Sequence, residues 1–208
     1  MNNIDKLEPE CFYHIYNRAV GNEILFKNSS DYDMFFSKFE RFLGNKVDIY
    51  AYCLIPNHFH LLVKIKSEPD LERVFENETN DWNLAINQIF SNFFNSYTKT
   101  FNKFRGRKGK LFMLPYRRKQ IQNDKYFTLL TGYIHRNPVH HFIVKKPEQW
   151  KHSSYNILNS NIPTKLMRTE LLEWFGGKNE FVKYHNDMLE EYNKNLLGYH
   201  PDLLGSRT

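Results

Sequence analysis

Hydrophobic and polar residues alternate along some stretches of this chain and recur at helical spacing along others. Extended and alternating patterns predict β-strands over residues 11–18, 47–54, 58–66 and 116–121. Apolar spacing of three and four, together with capping residues, predicts α-helices over residues 29–43, 81–102, 123–137, 169–175 and 180–196. Strands and helices therefore both contribute to the fold.

The strand over 58–66 follows a turn at Pro56-Asn57 and has two distinct faces. Because side chains two residues apart share a face, one face carries only the apolar residues Phe59, Leu61, Val63 and Ile65. The other face carries His58, His60, Leu62, Lys64 and Lys66. The two neighbouring imidazoles could bind a metal ion, and the ammonium groups that follow could bind an anion lying along the strand. Two histidines on a strand face are more often simply solvated, so the pattern alone leaves both interpretations open.

The neighbouring strands follow the same alternation. The strand over 47–54 is expected to pair with the histidine strand as an antiparallel hairpin. Alternation places four of its residues on one face, namely Val47, Ile49, Ala51 and Cys53. The first strand is expected to present Phe12, His14, Tyr16 and Arg18 together.

The helix over 123–137 is expected to end at Asn137, because Pro138 follows and the residue before a proline is pushed out of the α region. Tyr133 and Asn137 are four residues apart and therefore lie one turn apart on the same face. His135 points away from that face. A tyrosine near a helix end is usually a half-buried core residue, so this spacing does not by itself assign a role.

Composition narrows the class of protein. The 208 residues suit one domain, with or without a helical appendage, and 41% hydrophobic with 16% aromatic residues indicate a folded chain. Only Cys11 and Cys53 are present, which excludes a zinc site made of thiolates and disfavours a disulfide framework. No signal segment or membrane-spanning stretch is visible, so the expected location is the cytoplasm.

Positive charge is concentrated in one segment. Lys and Arg total 29 against 23 Asp and Glu, a net charge of +6, which is compatible with nucleic acid as a partner. Residues 103–119 contain eight Lys or Arg and no acidic residue, with Phe104, Phe112 and Tyr116 among them. Cations interleaved with aromatic rings are typical of single-strand binders, although such a run can also be a solvated loop.

Several motifs of this chain occur together in one known family. They are YHIYNR at 13–18, AYCLIPNHFHLLV at 51–63, GKLF at 109–112, YIHRNPV at 133–139 and W-x-x-S-S-Y at 150–155. In these motifs, and in their order over residues 11 to 158, the chain resembles the HUH single-tyrosine transposases, in particular the branch of REP-associated tyrosine transposases. Pro-Asn-His-x-His followed by Tyr-Ile-His-x-Asn-Pro is the specific part of this resemblance.

The resemblance implies a fold and a site. The fold would be α+β, a ferredoxin-like βαββαβ antiparallel sheet with packed helices and a C-terminal helical extension. His58 and His60 would be metal ligands, Asn137 would be the third ligand, and Tyr133 would be the nucleophile. The implied ion is Mg²⁺ or Mn²⁺, which an amide oxygen suits, although these ligands do not exclude Zn²⁺.

The resemblance also implies an activity, namely cleavage and transfer of single-stranded DNA at hairpin-containing sites through a 5′-phosphotyrosine intermediate. The predicted DNA-binding residues are Arg18, Lys64, Lys66, Lys103, Arg105, Arg107, Lys108, Lys110, Arg117 and Arg118. Two alternatives are a hairpin-binding protein that does not cut and a metal-dependent nuclease that uses water. The protein would act as a monomer or a homodimer, without a membrane partner.

The expected domain organisation is a transposase-like domain over residues 1–160 and a helical extension over residues 161–208. The extension lies outside the resemblance. Contact with DNA, contact with a second copy and closure of the core are all open as its role.

Overall fold

The structure is a computed structural model that describes residues 5–76 and 81–194. Predictions that fall on residues 1–4, 77–80 and 195–208 lie outside this part of the chain, and they include the last two residues of the helix expected over 180–196. Within the described residues, no helix has the length and apolar character needed to cross a membrane.

One antiparallel sheet forms the centre of the fold. Its strands are β1 (Phe12–Arg18), β2 (Val47–Ile55), β3 (His58–Ile65) and β4 (Arg117–Gln120), in the spatial order β2-β3-β1-β4. Helix α1 (Ser29–Leu43) connects β1 to β2, a short helix α2 (Glu68–Phe75) follows β3, and helix α3 (Trp82–Arg105) precedes β4. This is the βαββαβ order and strand arrangement of a ferredoxin-like fold, so the predicted fold class is confirmed.

The first face of the sheet is covered by α1 and α3. The cap of α1 is Asn28, one residue before the predicted start, and it forms a capping box with Asp31. The apolar face of β3 points into this core as predicted, against aromatic rings of both helices that include Phe35, Phe39, Phe90, Phe93 and Tyr97. The spacing of these rings in α3 therefore serves core packing, and their buried area is a major source of stability.

A β-bulge at Tyr50 interrupts the alternation in β2. Residues 49 and 51 pair with consecutive residues of β3, so Tyr50 is the extra residue between them. Val47 and Ile49 pack against the first core, whereas Ala51 and Cys53 face the opposite side of the sheet. The prediction that these four residues share one face is therefore wrong, because one extra residue reverses the side on which every later side chain lies.

The second face of the sheet is covered by three further helices: α4 (Asp124–His140), α6 (Arg168–Trp174) and α7 (Lys178–Lys194). Between α4 and α6 lie a short 3-10 helix over Pro147–Gln149 and a single turn, α5 (Tyr155–Leu158). Leu171 and Phe181 of the predicted extension are fully buried in the second core with Leu62 and Ile134. The described part of the extension therefore helps to close this core, while the boundary at residue 160 stays a prediction.

Helix α4 continues past its predicted end at Asn137 and includes Pro138. A proline inside a helix removes one hydrogen bond to the carbonyl four residues earlier. Here the helix resumes at once, because the His141 N–H donates to the Asn137 carbonyl. The predicted end was wrong because residues 133 to 139 are all buried against the protein, and this packing holds the last turn despite the proline.

Candidate active site

Helix α4 and strand β3 bring together the four residues that the sequence analysis linked to a metal and a nucleophile. His58 and His60 lie on β3, and Tyr133 and Asn137 lie in the second half of α4. The amide nitrogen of Asn137 is 3.3 Å from Nε2 of His60. The rings of Tyr133 and His60 meet edge to face with centroids 5.3 Å apart, and those of His58 and His60 are 5.2 Å apart. The expected convergence in space is present, while the chemical roles stay predictions.

Strand β1 adds a fifth member, His14, which the sequence analysis did not include in the site. Its Nε2 is 2.9 Å from Nδ1 of His60, and the side chain is buried. The alternation of β1 already placed His14 on the same face as Tyr16. Only the strand register reveals the contact, because Tyr16 lies opposite His60 and makes His14 its diagonal neighbour.

Hydrogen bonds determine which nitrogen of each imidazole carries a proton. The Asn137 amide donates to Nε2 of His60, so His60 carries its proton on Nδ1 and donates to Nε2 of His14. Nδ1 of His58 is 2.8 Å from Oδ1 of Asn57, an acceptor, so His58 is also protonated on Nδ1. Nε2 is therefore the unprotonated nitrogen of both β3 imidazoles, as metal ligation requires, and in His60 its lone pair accepts the Asn137 N–H.

Burial keeps the three imidazoles neutral. It lowers the pKa of His14 and of His58 to about 3, and it holds the pKa of His60 well below its ordinary value, because the charged forms lose their hydration. Neutral imidazole is the form that binds metal ions.

Two buried polar atoms among these residues have no hydrogen-bond partner, Oδ1 of Asn137 and Nδ1 of His14. Leaving such an atom unpaired costs roughly 1–3 kcal/mol, so a ligand that pairs with it is favoured. Within residues 5–76 and 81–194, no group of three or more His, Cys, Asp or Glu side chains could hold a metal ion, so a cation at this site would need a donor of another type. The unpaired Asn137 oxygen beside two imidazoles fits a divalent cation. We refer to His14, His58, His60, Tyr133 and Asn137 as the site cluster.

The Tyr133 ring is nearly closed to solvent, with 5% of its surface exposed. Burial raises the pKa of Tyr133 to about 12, although a hydrogen bond from Asn137 opposes this shift. The phenol is therefore neutral at pH 7, and it needs both activation and access before it can act as a nucleophile.

The outer rim of the site cluster carries the positively charged residue Arg18 beside the imidazoles of His58 and His141. The ring of His141 lies 4.7 Å from that of His58. Burial lowers the pKa of His141, and the charges of His140 and Arg18 lower it further. Arg18, a predicted DNA-binding residue, is exposed and lies opposite His58 in the pairing of β1 with β3.

The other predicted DNA-binding residues fall into two groups. The exposed ones with no ion pair in the described part of the protein are Lys103, Lys108, Lys110 and Arg117. The others have partners within the fold: Lys64 with the Phe12 ring, Lys66 with Asp48, Arg105 with Asp31, Arg107 with Glu23, and Arg118 with Asn87. Contact of either group with DNA stays a prediction.

The aromatic residues of the basic segment behave differently from each other. Phe104 is 76% exposed at the end of α3. Phe112 and Tyr116 are buried in the first core. The segment therefore does not present a row of three rings to a nucleic acid, because two of them are needed to fill the space between α3 and the sheet.

A second group of buried histidines lies on the other side of α4. Nδ1 of His135 is 2.8 Å from Nε2 of His185, and Nε2 of His135 is 2.7 Å from Oγ of Ser154. His185 donates from Nδ1 to the Phe181 carbonyl, and Oγ of Ser154 accepts from the N–H of Tyr52. We refer to His135, Ser154 and His185 as the interlock cluster, because it ties α4 to α7 and to the edge of β2.

Comparison with solved structures finds a REP-associated tyrosine transposase bound to a REP hairpin. The two proteins share a fold. The TM-score is 0.57, the sequence identity is 16%, and the match covers 76% of this chain and 84% of that chain. No family model and no curated protein matches the sequence. The likeness to that structure supports the α+β fold found here and does not reach to individual residues.

Proposed function

We propose that this protein cuts and rejoins single-stranded DNA at hairpin-containing sites through a covalent bond to Tyr133. The observation that carries the proposal is the meeting of Tyr133, Asn137 and two imidazoles between α4 and β3. The fold it shares with a transposase bound to a DNA hairpin supports DNA as the partner. The net charge of +6 favours the same class of partner.

In the proposed reaction, the Tyr133 oxygen attacks the phosphorus of a phosphodiester. The bond between this oxygen and phosphorus forms while the bond to the 3′ oxygen breaks, which leaves a 5′-phosphotyrosine and a free 3′-hydroxyl. The phenol loses one proton and the leaving oxygen gains one. Because one phosphoester replaces another, attack by a second 3′-hydroxyl rejoins DNA without ATP.

His58, His60 and Asn137 would hold a divalent ion, Mg²⁺ or Mn²⁺. Such an ion supplies Lewis-acid polarisation of the phosphate and neutralises charge that develops there. The protein prepares the site in two ways. Asn137 positions His60 and Tyr133 with its nitrogen and has its oxygen unpaired; an ion on Nε2 of His60 would replace the hydrogen bond from Asn137 to that atom. His14 holds the ring of His60 through Nδ1.

DNA has to open the site before reaction, because Tyr133 is nearly closed to solvent. The rim at His58 and His141, where Arg18 supplies positive charge, is the approach to it. All members of the site cluster belong to one chain, so the proposal needs no residue from a second copy.

A hairpin-binding protein that does not cut is the second candidate. The observation that favours it is the burial of Tyr133, whose raised pKa disfavours the phenolate. The two candidates differ in one product, a covalent protein–DNA adduct.

The test is incubation of the protein with hairpin DNA and Mn²⁺, followed by a denaturing gel. We expect an adduct with the natural chain, none with Tyr133→Phe, and an unchanged affinity for the hairpin. Tyr126→Phe, on the same helix, is the matched control and should keep the adduct. An adduct with Tyr133→Phe would reject this nucleophile. Tight binding without any product would favour the second candidate, and free 5′-phosphate ends without an adduct would indicate a nuclease that uses water.

A further inference from the structure

An aromatic residue in a strained backbone conformation stands beside the rim of the site cluster. Phe142 follows His141 directly, its φ is 55°, and 79% of its surface is exposed. The left-handed region is unfavourable for a residue with a side chain and is normally occupied by glycine. Of the described non-glycine residues with positive φ, Glu10 and Glu76 are polar, so Phe142 alone combines this strain with a large apolar side chain.

The strain comes from the way α4 ends. The Phe142 N–H donates to the Val139 carbonyl and the Ile143 N–H donates to the Pro138 carbonyl, both at 2.9 Å. This is the hydrogen-bond pattern of a Schellman motif, whose left-handed position is usually a glycine. Glycine would end the helix with less strain and without exposing a ring, so the helix end does not account for phenylalanine here.

The surroundings of Phe142 favour an anionic partner. His141 contacts His58, and Arg18 is close enough for its charge to act on both imidazoles. Lys145 is exposed three residues further on, and the sequence contains no acidic residue from Lys125 to Pro147. An exposed hydrophobic ring next to a guanidinium group is a combination that binds an unpaired nucleotide, through its base and its phosphate together.

We propose that Phe142 is a stacking platform for an unpaired base of the DNA strand next to the phosphate that is cut. This inference rests on the proposed function and adds a contact to it. An aromatic face accepts any base, so Phe142 would position the strand at the site cluster without selecting its sequence. The strained helix end holds the ring away from the protein core, where a base can reach it.

The proposal predicts opposite effects of Phe142→Gly on stability and on DNA binding. Removal of the strain should raise the Tm by about 2–4 °C. Loss of one stacked base should weaken binding of a hairpin with a single-stranded flank by about tenfold. Phe142→Trp should keep the affinity of the natural chain, because indole stacks at least as well. If Phe142 only ended the helix, Phe142→Gly would raise the Tm without weakening DNA binding.

The measurement is fluorescence anisotropy with a labelled DNA hairpin that carries a randomised single-stranded flank of about eight nucleotides. The same hairpin without a flank is the control, and Phe142→Gly should bind it like the natural chain. Phe104→Gly is the control for stability: it removes a ring of similar exposure from a helical position and should lower the Tm.

Equal binding of the flanked hairpin by Phe142→Gly and the natural chain would overturn the stacking role, even if the natural chain forms its covalent adduct. Unchanged DNA binding together with loss of self-association in sedimentation would assign the ring to a protein contact and would also overturn it. Failure of the natural chain to bind either hairpin would overturn both the stacking role and the proposed function. Normal adduct formation by the natural chain, together with a loss of affinity confined to the flanked hairpin, supports both.

Discussion

The two buried histidine groups on opposite sides of α4 differ in how completely their polar atoms are paired. In the interlock cluster, both nitrogens of His135 and of His185 have partners, and so does Ser154. In the site cluster, Asn137 and His14 each retain one buried atom without a partner. Both groups contain neutral imidazoles at similar depth, so burial alone does not distinguish a structural group from a site.

What distinguishes them is the unpaired atoms. A closed chain of hydrogen bonds gains nothing from a ligand, because every donor already has an acceptor. A buried group with an unpaired oxygen beside two neutral imidazoles gains from a cation. We therefore expect changes in the site cluster to affect chemistry and metal binding, and changes in the interlock cluster to affect stability.

The largest effect is expected from His60→Ala. This change removes one of the two proposed imidazole ligands and the partner of Asn137, so the rate of adduct formation should fall by at least about 10³-fold, or about 4 kcal/mol. A time course of adduct formation on denaturing gels measures it. Ser154→Ala, in the other cluster, should stay within about tenfold of the natural rate at a temperature where it is folded. A natural rate for His60→Ala would remove the distinction between the clusters.

A smaller effect, on stability, is expected from Ser154→Ala. Loss of the hydroxyl leaves Nε2 of His135 and the N–H of Tyr52 unpaired in the interior, which should lower the free energy of unfolding by about 2–3 kcal/mol. Denaturant titration measures the change. Ser153→Ala is the matched control, because Ser153 makes one long hydrogen bond and its loss should cost about 1 kcal/mol or less. Equal stability of the two variants would contradict the stabilising role of Ser154 in the interlock cluster.

A third prediction concerns metal binding without DNA. Mn²⁺ at about ten times its dissociation constant should stabilise the natural chain by about 1.4 kcal/mol and raise the Tm by about 3–6 °C. Excess EDTA should reverse the shift. His60→Ala should lose it and Ser154→Ala should keep it. The same shift in both variants would mean that Mn²⁺ binds elsewhere.

The smallest effect concerns the pH dependence of stability. Burial lowers the pKa of His185 to about 4, from about 6.5 in the unfolded chain, and the nearby charge of Arg136 adds to this. The unfolded chain therefore binds more protons between these values. The stability due to neutral His185 is complete above pH 6.5 and falls by up to about 1 kcal/mol per unit as the pH drops toward 4. The slope of stability against pH reports how many more protons the unfolded chain binds than the folded one. His185→Asn should reduce this number by up to about one in denaturant titrations at several pH values. An unchanged slope would mean that the interlock cluster does not keep His185 neutral in the folded protein.

The sequence was sufficient to predict the sheet, the two faces of β3 and the two main helices of the first core. These follow from alternation and from helical spacing, which are local properties. The proximity of Tyr133 and Asn137 to His58 and His60 was expected from the resemblance to a family, and no local pattern contains it. The contact of His14 depends on strand register, so it needed the structure.

Other errors had physical causes that act over a distance. The end of α4 was placed too early because the rule for residues before proline ignores tertiary packing, which here keeps Pro138 inside the helix. The charged neighbours of Phe112 and Tyr116 predict an open loop whose rings are available to DNA, yet both rings fill the first core. The sequence pattern does not predict helix α2, although Ser67 is a good cap. The helix has only eight residues, which are too few to show a clear helical repeat of apolar positions.

Because of the extra residue at Tyr50, the fold depends on the exact number of residues in β2 as well as on their type. Deleting any single residue from the strand near this point would turn Ala51 and Cys53 toward the aromatic rings of α1 and α3, and would turn Tyr52 and Leu54 toward the histidines. Small side chains would then face the large rings of the first core, while bulky ones would crowd the site cluster. One irregular pairing thus keeps the first core and the site cluster on opposite sides of a single sheet.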